Sequence, residues 1–206
     1  MATAAHIGKP ARDQLLDEAL ALFLEFGLRR TRMDDLAQRM GISRATLYRQ
    51  FQDRTALVQS VIMRECQRAM ADVQRQLEER PVTDWGREGL FLTVRTAARH
   101  PLLQRLLDVD AEYLLPVLTI HSRDTLRWAH RYVTAMVEML QARNVLPAGQ
   151  AAETAELLLR LLHSWLLTPA GDVDVRDDAD LRRYIDTFLW PLLAKRPPAV
   201  SPQANH

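Results

Sequence analysis

Residues 19–57 read ALALFLEFGLRRTRMDDLAQRMGISRATLYRQFQDRTAL, and this stretch decides the fold of the 206-residue chain. Ahead of Gly27, apolar side chains recur every three or four residues, a spacing that predicts one amphipathic helix. The apolar face of that predicted helix consists of Leu15, Leu16, Ala19, Leu22, Phe23 and Phe26. Gly27 predicts the end of the helix, because glycine readily adopts the left-handed backbone conformation that closes many helices.

Two short helices are predicted after Gly27. The run Thr31–Asp34 resembles a capping box that starts the first of them, and Gly41 ends it after about two turns. Ser43 is a capping residue type at the start of the second, which covers residues 44–50, and Asp53 caps the helix that follows. Two short helices joined by a glycine-containing turn of three or four residues are typical of a helix-turn-helix.

The second short helix has the composition of a DNA-reading surface. Its inward positions are Leu47 and Phe51, so the outward positions are Arg44, Ala45, Thr46, Tyr48 and Arg49. Residues 27–54 contain seven arginines and three aspartates, a formal charge of +4, while the rest of the chain carries −3. A local basic patch on a slightly acidic chain is expected of a protein that binds a polyanion. A generic helical hairpin, the alternative, needs no exposed tyrosine beside the arginines.

Composition places the whole chain in the all-α class. It has 48% hydrophobic and 26% charged residues, only seven glycines and no run of β-branched residues of the kind that marks a strand. No apolar run approaches the roughly 18 residues of a membrane span, and the N-terminus lacks the apolar core of a secretory signal. The single cysteine, Cys66, excludes an internal disulfide. We therefore expect a cytoplasmic protein without a membrane partner.

The quoted stretch resembles the DNA-binding signature of the TetR/AcrR family of bacterial regulators. The matching positions are Phe23, Gly27, Thr31, Leu36, Ala37, Gly41, Ile42, Ser43, Thr46, Leu47, Tyr48, Phe51 and Leu57. Three positions depart from the family pattern: Arg32 replaces the usual Ser or Thr, Gln50 the frequent His or Tyr, and Arg54 the usual Lys. The resemblance implies a homodimer that binds a palindromic double-stranded DNA operator. It implies DNA contacts by Thr31, Arg32, Ser43, Arg44, Ala45, Thr46, Tyr48, Arg49 and Arg54.

Side-chain chemistry divides these contacts into two kinds. Thr31, Tyr48 and Arg54 resemble the family's phosphate contacts, and Thr46 and Arg49 fit the same role or the groove edge. Arg44 is expected to read a base, because its planar fork matches O6 and N7 of guanine, and Ala45 can touch a thymine methyl.

The chain is predicted to comprise four segments: a flexible N-terminus (1–10), a helix-turn-helix DNA-binding domain (11–54), a helical regulatory and dimerisation domain (55–196) and a disordered tail (197–206). Apolar periodicity and breaks at proline and glycine predict body helices at 55–79, 83–99, 101–109, 122–143, 150–168 and 180–194, about nine helices for the whole chain. A turn is expected around Asp110 and Pro116.

The last two predicted helices are apolar almost all round, so they must be buried on more than one side. A deep core within one chain would satisfy this, and so would a four-helix bundle formed by two copies, which the family resemblance implies. The predicted dimer interface consists of Leu158, Leu162, Trp165, Leu166, Leu181, Tyr184, Ile185, Phe188 and Leu189.

The resemblance also implies a pocket in the body for a small, largely apolar effector that releases a repressor from its operator. Candidate lining residues are Trp85, Phe91, Arg95, Arg99, Tyr113, His121, Arg127, Trp128, His163 and Trp165. A DNA-binding activator, a ligand-independent regulator and a helical interaction protein without DNA binding remain open. No phosphate loop, nucleophile elbow, His-Glu-x-x-His or Cys-x-x-Cys motif occurs, so we expect neither an enzyme nor a metal or other cofactor.

Overall fold

The computed structural model describes residues 9–168 and 171–195, and over these residues the chain is all-α, as predicted. The predicted tail at 197–206, and all but residues 9 and 10 of the predicted flexible N-terminus, lie outside the described residues. The helices are α1 (Lys9–Arg30), α2 (Met33–Arg39), α3 (Arg44–Gln50), α4 (Arg54–Glu78), α5 (Trp85–Ala98), α6 (Pro101–Leu118), α7 (Arg123–Ala142), α8 (Ala151–Leu167), α9 (Asp178–Tyr184) and α10 (Trp190–Ala194).

Two short irregular segments complete the helical structure. A 3₁₀ turn, Val82–Asp84, precedes α5, and a π-helical segment, Ile185–Leu189, joins α9 to α10 without a break. With α9 to α10 counted as one continuous helix, the described part of the chain has nine helices, as predicted. None of these helices combines the length and the apolar character that crossing a membrane requires.

The chain divides into two compact units. Among the described residues, unit 1 contains those up to Ala71 together with Thr96–Leu126, and unit 2 contains Asp72–Arg95 together with those from Arg127 onward. The division falls inside α4, α5 and α7, so no helix boundary marks it. The predicted boundary at residue 54 separates the segment predicted to bind DNA from the segment predicted to regulate and dimerise, and it stays a prediction.

Unit 1 is built on the apolar face of α1. Five of the six residues predicted for that face are buried: Leu15, Leu16, Ala19, Leu22 and Phe23. Phe26 is 45% exposed, and its prediction as a core residue was wrong. The helical geometry ends at the next residue, Gly27, whose φ is +81° and ψ 173°, so the buried face of α1 has no further turn to extend into. The glycine is needed there, because L residues rarely adopt this backbone conformation.

Helix α6 corrects a second prediction. It was expected to end at Val109, with a turn around Asp110 and Pro116, but it runs on to Leu118 with a kink at Asp110 (φ −139°, ψ 31°). The Asp110 side chain is buried, and its carboxylate accepts the backbone N–H of Leu28 at 2.6 Å and that of Arg29 at 3.3 Å. Asp110 therefore satisfies the end of α1 and does not form a local turn.

Unit 2 holds a core of Val137, Leu140, Leu146 and Ala151, with Trp85 and Trp190 among the side chains packed on it. An ionic cluster links α5 to α9. The Glu88 carboxylate accepts hydrogen bonds from both terminal nitrogens of Arg182 and is 2.8 Å from the Arg80 guanidinium. Arg182 also lies over the Phe91 ring, 3.6 Å from its centroid. These contacts hold the N-terminal half of α5 against α9.

Candidate nucleic-acid interface

The start of α2 lies one residue later than predicted. Met33 is the first residue of α2, and the Asp35 carboxylate accepts the backbone N–H of Arg32 at 3.0 Å. The prediction had paired Thr31 with Asp34. The shift has a clear cause, because the Thr31 side chain faces inward and its hydroxyl donates to the Gly27 carbonyl at 2.7 Å. An aspartate that reaches back to the N-cap still supplies the acceptor half of a capping box.

Helix α3 is capped and anchored as the sequence predicted. The Ser43 Oγ accepts the backbone N–H of Thr46 at 3.1 Å, and the Asp53 carboxylate caps α4 by accepting the N–H of Ala56 at 2.8 Å. Leu47 and Phe51 are buried in unit 1. Gly41, at φ +62°, makes the turn between α2 and α3. The inward anchors leave the opposite face of α3 in solvent.

That solvent face carries the predicted DNA-reading side chains. Arg44, Ala45, Tyr48 and Arg49 are exposed and Thr46 is half-buried. The Tyr48 and Arg49 side chains make no hydrogen bond or ion pair with any described residue, so both are available to a ligand. Arg44 has a partner: its Nε lies 2.7 Å from Asp34 Oδ1, with both side chains at least half exposed. An ion pair this exposed contributes about 0–1 kcal/mol, so Arg44 can exchange it for a DNA contact at little cost.

Two arginines without a predicted role, Arg12 and Arg39, hold α2 and α3 in place. Arg12 of α1 donates to the Gln50 carbonyl at 3.2 Å and lies over the Phe51 ring. Arg39 of α2 donates to the carboxylates of Glu18 and Glu25 of α1. Their partners are 14 to 38 residues away in the chain, so no local pattern could have identified these contacts.

Thr31 and Arg54 are placed differently from the other predicted DNA contacts. Thr31 is 4% exposed, and its single hydroxyl proton is used by the end of α1. It therefore has no proton to give to a phosphate, and its neighbour Arg32 is the exposed residue at this point. Arg54 is half-buried over the Tyr113 ring, and its Nε and Nη2 are buried without a hydrogen-bond partner among the described residues.

The predicted effector residues fall in both units. Arg99, Tyr113 and His121 belong to unit 1, and the set in unit 2 is Trp85, Phe91, Arg95, Arg127, Trp128, His163 and Trp165. A cavity of about 220 Å³ in unit 2 is lined by Asp84, Arg87, Glu88, Phe91, Arg182, Ile185 and Asp186. Of the predicted set, Phe91 alone lines this cavity, so the structure does not gather the candidates around it.

Several candidates contact other residues of their own unit. The Trp85 indole N–H donates to the Arg80 carbonyl at 3.1 Å, Arg95 lies 3.4 Å from the Asp178 carboxylate, and Trp128 stacks on Tyr132 with ring centroids 5.6 Å apart. The His121 side chain is exposed, and its backbone carbonyl accepts a hydrogen bond from Gln59. Within the described ranges, no three His, Cys, Asp or Glu side chains are grouped as a metal site requires.

The predicted interface helices present a mixed surface. Leu181, Ile185 and Leu189 are buried within their own unit, whereas Phe188 is 55% exposed. Leu158, Leu162, Trp165, Leu166 and Tyr184 are half-buried. Trp165, Tyr184 and Phe188 form a continuous aromatic cluster, with successive ring centroids 5.6 and 5.1 Å apart. Leu157 and Leu192, which the prediction omitted, are also exposed apolar side chains on α8 and α10.

Comparison with known proteins agrees with this architecture. Residues 15–61 match the family described as bacterial regulatory proteins, tetR family, and residues 85–186 match the C-terminal domain of the bacterial tetracyclin repressor. The two matches together cover well over half of the chain. No curated protein matches it significantly.

Solved structures share the fold at low sequence identity. A TetR-family transcriptional regulator from Pectobacterium atrosepticum is 23% identical, with a TM-score of 0.69 over 95% of this chain and 100% of its own. The TetR-family repressor AlkX from Dietzia sp. is 21% identical, with a TM-score of 0.65 over 91% and 100%. The repressor QsdR from R. erythropolis is 18% identical, with a TM-score of 0.65 over 91% and 97%. The two family matches, and a helix-turn-helix whose outer face is basic, place the chain in the TetR family of bacterial DNA-binding transcriptional regulators.

Proposed function

We propose that the protein is a homodimeric repressor that binds a palindromic operator and releases it when a small, largely apolar molecule binds in the body. One observation carries the DNA-binding part: the exposed face of α3 presents Tyr48 and Arg49, which have no polar partner in the described part of the chain, and Arg44 in a weak surface pair. We assign the segment 11–54 to DNA binding and 55–196 to regulation and dimerisation. We assign the protein no enzymatic activity, and it acts in the cytoplasm, where bacterial DNA lies.

The proposed contacts separate positioning from reading. Arg32, Ser43, Thr46, Tyr48 and Arg49 donate to phosphates or line the groove edge, and Arg54 joins them once it leaves Tyr113. Arg44 reads guanine, and Ala45 packs on a thymine methyl. Thr31 is left out of this set, because its hydroxyl proton is engaged within α1.

The experiment measures binding to an operator and to its single-base variants, using labelled duplexes. Arg44→Ala should relax discrimination at one position of each half-site, by the 1–3 kcal/mol that a bidentate guanine contact supplies, roughly 5- to 150-fold. Tyr48→Phe should weaken all variants by about the same factor, because a phosphate contact carries no base information. Equal losses on every duplex for Arg44→Ala would show that Arg44 does not read a base.

Arg75→Ala is the matched control. Arg75, like Arg44, is an exposed arginine paired with one aspartate, at 2.6 Å from Asp72 on the same helix. It lies on α4, outside the proposed DNA-binding segment. Its removal should leave the affinity and the salt dependence unchanged, whereas loss of a phosphate contact lowers the salt slope by about one.

The dimer is supported by the exposed apolar side chains of α8 to α10, above all Phe188 and Leu192. Leu181, Ile185 and Leu189 support the interface from within their own unit. Two helix-turn-helix segments related by a two-fold axis would read half-sites one or more helical turns apart. Phe188→Glu should give a monomer in sedimentation at micromolar concentration. Ile120→Glu, at a residue that is 78% exposed between α6 and α7, should remain dimeric.

Effector release requires that ligand and DNA favour different conformations of the dimer. The coupling needed is about 1–3 kcal/mol, or 5- to 150-fold in operator affinity. A thermal-shift screen of small molecules identifies binders, because a ligand of the folded state raises its melting temperature. Each binder is then tested for release of the labelled operator. Binders that leave operator affinity unchanged would contradict the effector part of the proposal and leave the DNA-binding part intact.

A further inference from the structure

A cavity of about 570 Å³ lies in unit 1, where the end of α1 meets α6. It is lined by Phe26, Arg29, Arg30, Arg105, Val109 and Asp110. Its volume is within the range of small-molecule sites, which is about 300–1,000 Å³. No residue of the proposed DNA-binding surface or of the predicted effector set lines it.

The charge in this cavity is positive and incompletely neutralised. Arg29 and Arg30 are exposed, and their side chains make no hydrogen bond or ion pair with any described residue. Arg105 donates from Nε to the Leu24 carbonyl, an uncharged partner. The one carboxylate, that of Asp110, already accepts the backbone N–H groups of Leu28 and Arg29. Three guanidinium groups around one occupied carboxylate make a site for an anion, because guanidinium forks bind carboxylate and phosphate in the bidentate manner.

The same cavity offers apolar surface. Phe26 is 45% and Val109 49% exposed, although both follow runs of buried apolar residues on their helices. Their exposure has a structural origin: α1 leaves helical geometry directly after Phe26, and α6 is kinked directly after Val109. An inorganic anion would leave both side chains in water, whereas a ligand with an apolar tail would cover them and gain from the burial.

We propose that this cavity binds an amphipathic anion, a carboxylate or phosphate head on a short apolar tail. Arg29, Arg30 and Arg105 hold the head, and Phe26 and Val109 cover the tail. The occupant is either a free amphiphile or the exposed part of a membrane lipid, which share this chemistry. The site stands independently of the proposed repressor function, because the octyl phosphate titration that tests it contains no DNA.

Calorimetric titration of the full chain with octyl phosphate, kept below its micelle concentration, tests the proposal. Octyl phosphate should bind at least about tenfold more tightly than inorganic phosphate, since only the former covers the apolar surface. Arg30→Gln and Arg105→Gln should each lower the affinity for octyl phosphate about tenfold, because each removes a charge-assisted contact. Val109→Ser should reduce the difference in affinity between octyl phosphate and inorganic phosphate. Arg75→Gln, at an exposed arginine of unit 2, should leave the affinity for octyl phosphate unchanged.

Vesicles of anionic phospholipid separate the two sources of the ligand. If the protein sediments with the vesicles and Arg30→Gln abolishes this, the site binds a lipid headgroup. If the protein binds octyl phosphate but does not sediment with the vesicles, the site binds a free amphiphile. Either result supports the site. Circular dichroism of each variant confirms that it is folded before its affinity is compared.

Three results would overturn the proposal. The first is no binding of octyl phosphate, and the second is equal affinity for octyl phosphate and inorganic phosphate. The third is octyl phosphate binding that survives Arg30→Gln and Arg105→Gln while operator affinity falls in both variants. That last result would make Arg30 and Arg105 an extension of the DNA phosphate surface, so failure here is distinguishable from failure of the repressor function.

Discussion

Replacing Gly27 by alanine is a direct test of how α1 is joined to α6. Gly27 has φ +81° and ψ 173°, and a Cβ built there would overlap Asp110 Oδ2. The substitution therefore does two things at once. It forces an L residue into a backbone region that is nearly exclusive to glycine, and it displaces a buried carboxylate from two backbone N–H donors.

The size of the effect follows from these two parts. The backbone strain costs about 1–3 kcal/mol. Loss of the hydrogen bonds to a charged acceptor adds about 1.5–3 kcal/mol. For a chain of 206 residues, 1 kcal/mol corresponds to roughly 2–4 °C in melting temperature, so we expect Gly27→Ala to lower the melting temperature by about 10 °C.

Thermal melts followed by circular dichroism, at one protein concentration, measure the change, and two other glycines provide matched controls. Gly41 has φ +62° but nothing within 4 Å of its Cβ position, so Gly41→Ala carries the strain alone, about 1–2 kcal/mol. Gly149 has neither a left-handed φ nor a neighbour within 4 Å, and Gly149→Ala should be neutral or slightly stabilising. We expect the loss of stability to rank Gly27, then Gly41, then Gly149.

A double-mutant cycle with Asp110→Ala decides the mechanism. Once the carboxylate is gone, Gly27→Ala has nothing to displace and should cost only its backbone strain, about 1–3 kcal/mol. If Gly27→Ala costs the same with and without Asp110, or no more than Gly41→Ala, displacement of the Asp110 carboxylate does not cause the loss of stability.

Three titratable groups give further predictions. Burial, with a smaller contribution from the Glu65 charge, raises the pKa of the Cys66 thiol from 9.0 to about 11. At pH 8, Cys66 of the folded protein should therefore react with Ellman's reagent about a hundredfold more slowly than an ordinary thiol. Unfolding the protein should abolish this difference in rate. Burial lowers the pKa of His100 below 6.5, so the unfolded chain takes up the proton at a higher pH than the folded chain does. The stability of the fold should therefore decrease as the pH drops from 6.5 towards the folded pKa. The decrease should be smaller in His100→Gln. The hydrogen bond from Arg182 lowers the pKa of Glu88 below 4.5. The stabilisation that ionised Glu88 provides is complete above pH 4.5 and is lost as the pH falls through the folded pKa. This pH-dependent loss of stability should be missing in Glu88→Gln.

The helix-turn-helix could be located from the sequence because its determinants are local. Ser43 and Asp53 cap helices by bonds to residues three positions away, and Gly41 supplies a left-handed turn that few other residues tolerate. Each of these effects acts within one helical turn, so residue type and spacing are sufficient evidence. The outward face of α3 follows from the same periodicity, once Leu47 and Phe51 are recognised as inward.

The predictions that the structure corrected depend on contacts outside the local pattern. Thr31 was expected to cap α2, and its hydroxyl instead donates to the Gly27 carbonyl near the end of α1; Asp110 was expected in a turn and instead accepts bonds from residues about 80 positions away. The candidate effector residues stay a prediction, and of them Phe91 alone lines the unit 2 cavity.

The amino-acid sequence alone determined the all-α class, the helix-turn-helix and its basic outer face, because helix periodicity and capping depend on neighbours within about four residues. Only the tertiary structure decided which side chains of the continuous helix from α9 to α10 are core and which are exposed, since Leu181 and Phe188 are both apolar and differ in what packs over them. It also decided that Arg29, Arg30 and Arg105 line one cavity. Residues 75 positions apart are brought together by the packing of α6 on α1, and packing depends on the shape of the whole unit.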